Sequence, residues 1–241
     1  MSLKLIENKE EQKILEENDE VMFEHLLTIE EKTLPSAYYM ELHQNLQWRD
    51  RRELVDRFLS YSQKFRIPIE TVFLAINFVD RFLSRKCAGN HLEVLGSVPF
   101  ALAVKYETPD VHEKETETYL SVLNDLGGFG KGYRPSDISS IERQLLGALD
   151  YLLGTPSPFF FLRRMQILDK SSQDILTIAQ YLAASSMLYE EFLGIRPSQI
   201  ASASYFLAES LLKYANHIAD LTSSPGRVSN ACEAVIVADI T

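Results

Sequence analysis

The 241-residue chain is long enough for one large domain or two of about 100 residues each. Hydrophobic residues make up 46% and charged residues 24%, an ordinary globular balance, and no apolar run reaches the roughly 18 uncharged residues that a membrane span needs. The net charge of −10 comes without a basic block, which argues against sequence-independent binding to nucleic acid.

Apolar residues recur every three to four positions along nearly every long segment, and no stretch alternates with period two, so the fold class is all-α. Residues 8–33 are predicted as an acidic amphipathic N-terminal helix, with Ile14, Leu15, Val21, Met22, Leu26 and Ile29 at its apolar positions; Pro35 ends it. The stretch from Met1 to Lys4 leads into this charged helix and not into an apolar signal segment, which points away from secretion. Further helices are predicted over 48–65, 69–84, 91–106, 113–124 and 136–150, with the glycine-rich stretch 125–133, DLGGFGKGY, as a flexible insertion. Gly154-Thr155-Pro156-Ser157-Pro158 punctuates the chain, and a second group is predicted over 158–168, 171–188, 197–214 and 225–239.

Two groups of about five helices suggest an internal duplication. GSVPFALAVK at 96–105 lies over ASASYFLAES at 201–210, and both are rich in small residues, as a closely surrounded central helix requires. Phe82-Leu83 then corresponds to Phe192-Leu193, and Asp80 to Glu190, whereas Lys105 falls opposite Ser210. The expected division is 1–35, 36–155 and 156–241.

Two features bear on chemistry. Asp80-Arg81 sits inside the apolar stripe of the helix TVFLAINFVDRFL at 71–83, where a charge is unfavourable unless paired, and Lys105 ends the next apolar helix. The glycine run GGFGKG at 127–132 has neither a preceding strand nor a phosphate-loop frame, so it reads as an insertion. The histidines at 25, 43, 91, 112 and 217 show no metal spacing with one another or with Cys87 and Cys232, which read as free thiols in a reducing compartment. No GxSxG frame occurs. No catalytic residue, metal or cofactor is expected.

Several pieces, in order and spacing, resemble the cyclin box over roughly residues 20–240, and within that family the mitotic B-type members. They are EEKTLPSAYYM at 30–40, WRDRRELVDRFL at 48–59, DRFL at 80–83, Lys105-Tyr106-Glu107, SSIERQLLGALDYLL at 139–153, SPFFFLRRM at 157–165 and YEEFLGIRPSQIASASYFLA at 189–208. The resemblance implies two tandem five-helix boxes behind an N-terminal helix. It implies a non-enzymatic subunit that binds and activates a cyclin-dependent serine/threonine kinase in G2/mitotic control, monomeric alone and 1:1 with the kinase, in nucleus and cytoplasm. By the same resemblance Lys105 and Glu142 contact the mobile helix of the kinase, with Tyr106, Leu102, Leu146, Tyr151 and Leu153 as apolar contacts and the N-terminal helix adding Met22 and His25. Arg51 with Asp80 is expected to be a structural pair. On residue type alone, Lys105 and Glu142 read more readily as an internal ion pair than as partner contacts, and the three leucines read equally as core residues.

The sequence departs from the family pattern at the apolar patch that docks substrate peptides. Asp50, Glu53 and Arg57 stand at its usual apolar positions, leaving Leu54 and Leu92, and charges there oppose apolar docking. All three charges are expected on the solvent face of the first box helix, opposite Leu54, Phe58 and Phe65. Mitotic members usually carry an Arg-x-x-Leu destruction motif in a leader ahead of the boxes, whereas here no arginine precedes Arg49 and no Lys-Glu-Asn triplet occurs. Two alternative functions share the fold: a cyclin for an RNA-polymerase-directed kinase, against which the B-type pieces argue, and a promoter-binding general transcription factor. The latter predicts a basic face, whereas 24 Lys and Arg stand against 34 Asp and Glu.

Overall fold

In the computed structural model, which describes residues 9–44, 46–85, 92–107 and 135–221, the helical periodicity becomes eight α-helices and two short 3-10 turns. The helices are α1 (Lys9–Lys32), α2 (Trp48–Phe65), α3 (Ile69–Arg85), α4 (Leu92–Glu107), α5 (Pro135–Ala148), α6 (Pro158–Asp169), α7 (Gln173–Ser186) and α8 (Pro197–Leu221). The 3-10 turns cover Tyr39–Leu42 and Glu190–Phe192. The expected helices over 113–124 and 225–239, the glycine insertion and both cysteines lie outside the described residues.

Local chemistry fixes the boundaries. α2 ends where Arg66 turns left-handed (φ 55°), ahead of Pro68, and the Ile67 N–H donates back to the Ser62 carbonyl at 2.9 Å. α6 opens on Ser157, whose Oγ accepts from the Phe160 N–H at 3.4 Å, with Pro158 in the first helical position. The expected helix over 171–188 is shorter in the structure. It stops at Ser186, and the chain then forms the 3-10 turn, so Glu190 and Phe192 lie outside a helix, unlike Asp80 and Phe82, to which the repeat aligned them.

Two apolar cores form. The first gathers Val55 and Phe58 of α2, Val72, Phe78 and Phe82 of α3, Phe100 and Ala101 of α4, and Leu145 of α5; Phe58 and Phe100 pack with ring centroids 4.8 Å apart. The second gathers Phe159 and Leu162 of α6, Ala179 and Ala183 of α7, and Ala201, Tyr205 and Ala208 of α8. Burying each valine, leucine or phenylalanine among them stabilises by about 1.5–3 kcal/mol. Ile69 and Phe73 of α3 pack against both cores, and Met187 and Leu193, beyond α7, belong to the first. α1 lies on the second core through Phe23, Leu26 and Leu27.

The two small-residue helices are not enclosed alike. Every residue from Ser97 to Val104 of α4 is buried, as expected of a central helix. On α8 the described residues leave Phe206, Leu207, Leu211, Tyr214 and Ile218 exposed, so only one face of that helix is covered by them.

Candidate functional site

The charged pair inside α3 organises the junction between the two cores. Asp80 accepts from Arg51 twice, from Nε at 2.9 Å and Nη2 at 2.8 Å, and from the Tyr39 hydroxyl at 2.8 Å. Arg51 Nη1 also donates to the Met187 carbonyl at 2.8 Å, tying the start of α2 to the end of α7. Burial opposes the charge on Arg51, but Asp80 beside it more than offsets this and holds the guanidinium above its ordinary value. Burial, with Asp80 next, pushes the Tyr39 hydroxyl well above the usual phenol range, so it remains a donor. Arg51 and Asp80 are thus fully occupied inside the molecule.

On the same helix, Arg81, next to Asp80, and Arg85, one turn further along, face the chain leaving α5. Arg81 donates from Nη2 to the Leu149 carbonyl and from Nη1 to the Leu152 carbonyl, both at 2.9 Å. Arg85 Nη1 donates to the Ala148 carbonyl at 2.8 Å and pairs with the Asp150 carboxylate. Burial, with Arg85 next, pushes Arg81 down to about 10, which leaves it a cation at neutral pH. Asn77 completes the row. Its Nδ2 donates to the Thr33 carbonyl at 3.0 Å and its Oδ1 accepts from the Thr155 hydroxyl at 3.2 Å. Cations at the last carbonyls of a helix also complement its dipole.

Most of the expected partner-binding residues lie on the end of α4, on the second half of α5 and in the turn after it, whereas Met22 and His25 lie on α1. Lys105 Nζ and Glu142 Oε1 are 3.8 Å apart, with the lysine side chain 64% exposed and the glutamate 21%. At that distance and exposure the pair adds little to folding, and both groups retain access to solvent. Tyr106 is exposed beside them, and its hydroxyl lies 2.9 Å from where a Cβ on residue 154 would stand, so Gly154 makes its position possible. Tyr151 is 72% exposed, while Leu146 and Leu153 are half-buried against the first core. Leu102 differs. At 5% exposure it is a core residue of α4, and in this conformation its side chain offers no contact surface. Met22 and His25 are exposed on α1, whose Phe23, Leu26 and Leu27 turn inward to the second core.

The charged strip expected on α2 is made by two of its three charges. Glu53 and Arg57 are exposed on α2, where Arg49 Nε donates to Glu53 Oε1 at 3.0 Å. Asp50 is not a free surface charge: its Oδ2 accepts from the Gln47 N–H at 2.9 Å and closes the first turn of α2. Leu54 is half-buried against the first core, and the Leu92 side chain lies outside the described set.

Sequence reasoning missed Glu30. It is 1% exposed and accepts from both the N–H (2.9 Å) and the hydroxyl (2.6 Å) of Ser198, so α1 caps the start of α8. It also missed Asp19, which accepts from Arg164 Nε at both carboxylate oxygens and from Nη2 at one, while that guanidinium sits 3.9 Å over the Phe23 ring. A carboxylate at an apolar register of α1 was the available signal for Glu30.

The N-terminal domain of the cyclins matches residues 21–154 of this chain, and their C-terminal domain residues 156–228. This protein belongs to the cyclin family. It is 30% identical over 192 residues to G2/mitotic-specific cyclin-3 of Saccharomyces cerevisiae, an alignment covering 79% of this chain and 43% of that one. It is 34% identical over 192 residues to G2/mitotic-specific cyclin cdc13 of Schizosaccharomyces pombe, covering 79% and 38%. The chain therefore spans less than half the length of these relatives. In three dimensions it resembles a viral cyclin from herpesvirus saimiri, with a TM-score of 0.57 over 79% of this chain and 84% of that one; at 16% identity this speaks for the fold.

Proposed function

We propose that this cyclin is a regulatory subunit that binds a cyclin-dependent serine/threonine kinase 1:1 and activates it in G2/mitotic control. The observation that carries the reading is the grouping of Lys105 and Glu142 at 3.8 Å, on the surface made by the ends of α4 and α5, with Tyr106, Leu146, Tyr151 and Leu153. The lysine offers three charged donors to the carbonyls at the end of a partner helix, and the carboxylate accepts from backbone or side-chain N–H groups. Apolar neighbours displace water from those bonds.

Activation is then a population shift. The subunit binds preferentially the kinase conformation whose mobile helix is rotated inward, where the catalytic Lys–Glu pair of the kinase is formed. Phosphoryl transfer belongs to the kinase, and the cyclin contributes binding energy alone. The proposed sites of action are the nucleus and the cytoplasm. Mixing the purified chain with the mitotic cyclin-dependent kinase of Schizosaccharomyces pombe should raise peptide phosphorylation saturably, with a 1:1 endpoint. A kinase rate unchanged across the titration would reject the reading.

A further inference from the structure

We propose that Arg81 and Arg85 of α3 are positioning residues that hold the turn 149–154 in the one backbone shape that presents Tyr151 to a kinase, an inference that rests on the kinase-binding reading above. The turn is unusual in its backbone. Asp150 (φ 52°) and Tyr151 (φ 58°) are consecutive non-glycine residues in the left-handed region. Each costs about 1–2 kcal/mol relative to right-handed backbone and persists only where surrounding contacts impose it.

Those contacts converge from one helix. Arg85 holds the Ala148 carbonyl and the Asp150 carboxylate, while Arg81 holds the Leu149 and Leu152 carbonyls on either side of the strained pair. The Tyr151 N–H closes the end of α5 onto the Leu146 carbonyl at 3.0 Å. The side chain so directed makes little use of the interior, since Tyr151 is among the most exposed large apolar residues described. The strained pair itself buries nothing, since Asp150 and Tyr151 are both exposed while Leu149 before them fills the first core, so the gain from their backbone shape lies elsewhere. The same turn carries Leu153 and the Gly154 on which Tyr106 rests, so three of the proposed contacts share one clamp. Arg85 is half-exposed and can be removed without opening the core; Arg81 is buried, and its removal would unsettle the fold.

The test measures affinity for the Schizosaccharomyces pombe mitotic kinase by calorimetry, with thermal unfolding of each variant as a control. Arg85→Ala should weaken binding about tenfold, the order set by the cost of one left-handed non-glycine residue. Adding Asp150→Gly should restore affinity to within about twofold, since glycine takes that backbone freely. The Arg85→Ala and Tyr151→Ala double variant should lose less than the sum of the two single losses. Wild-type affinity in Arg85→Ala beside a weakened Tyr151→Ala would overturn the clamp and leave the binding surface standing. Losses that add, with no rescue by glycine, would also overturn it, because Arg85 would then be touching the kinase itself. Unchanged affinity in both Tyr151→Ala and Lys105→Ala would overturn the surface, and the clamp with it.

Discussion

Asp80 accepts three hydrogen bonds in the interior, two from Arg51 and one from Tyr39. Removing one partner leaves an uncompensated buried charge, so Arg51→Ala and Asp80→Asn should each lower the unfolding free energy by about 3–5 kcal/mol in urea titrations. A loss below about 1 kcal/mol, typical of surface pairs, would show that the pair is not buried as described. Glu30→Ala should cost about 1–3 kcal/mol by stranding the Ser198 N–H and hydroxyl at the start of α8. The need for a partner at Asp80 was legible, because a carboxylate interrupts an apolar stripe, and Arg51 was named for it. Tyr39 and the Met187 carbonyl were not, since contacts 41 and 136 residues away leave no trace in local periodicity. The reach of Arg81 and Arg85 to main-chain carbonyls was hidden for the same reason: every residue has a carbonyl.

Among the elements, α2 illustrates what spacing can and cannot reveal. Its span, Trp48–Phe65, follows from the apolar period that puts Val55 and Phe58 inward. The first-turn role of Asp50 depends on a side chain folding back to the Gln47 N–H, and periodicity alone assigned it to the solvent face. Asp50→Ala should therefore cost about 1 kcal/mol, read as a lower thermal midpoint, although no apolar contact is lost. It follows that an engineered docking patch should keep Asp50. Glu53→Ile with Arg57→Trp should create binding of an Arg-x-Leu peptide, measured by fluorescence anisotropy, while kinase affinity stays unchanged. Wild-type binding of that peptide at the same strength and insensitive to salt would contradict the charged-strip reading. The extent of α8 was underestimated because its exposed Leu211, Tyr214 and Ile218 continue the helical period past residue 214 without a cap.

At the scale of the whole molecule, the two cores are joined by α3. Ile69 and Phe73 touch both, Asp80 holds Tyr39 between α1 and α2, Arg81 and Arg85 hold the turn after α5, and α1 fastens to the second group through Glu30 and Asp19. The order of family pieces made the two-group architecture legible. The seam was not, because it is made by residues whose periodicity already assigned them to a single core. The surface proposed to meet the kinase lies where this frame presents the ends of α4 and α5, and its two charges decide the matter most directly. Calorimetric titration of the mitotic kinase with Lys105→Ala and Glu142→Ala should show losses of about 2–5 kcal/mol in binding free energy, with circular dichroism and unfolding midpoints near those of the parent chain. Parent-level affinity in both variants would contradict kinase binding through this surface.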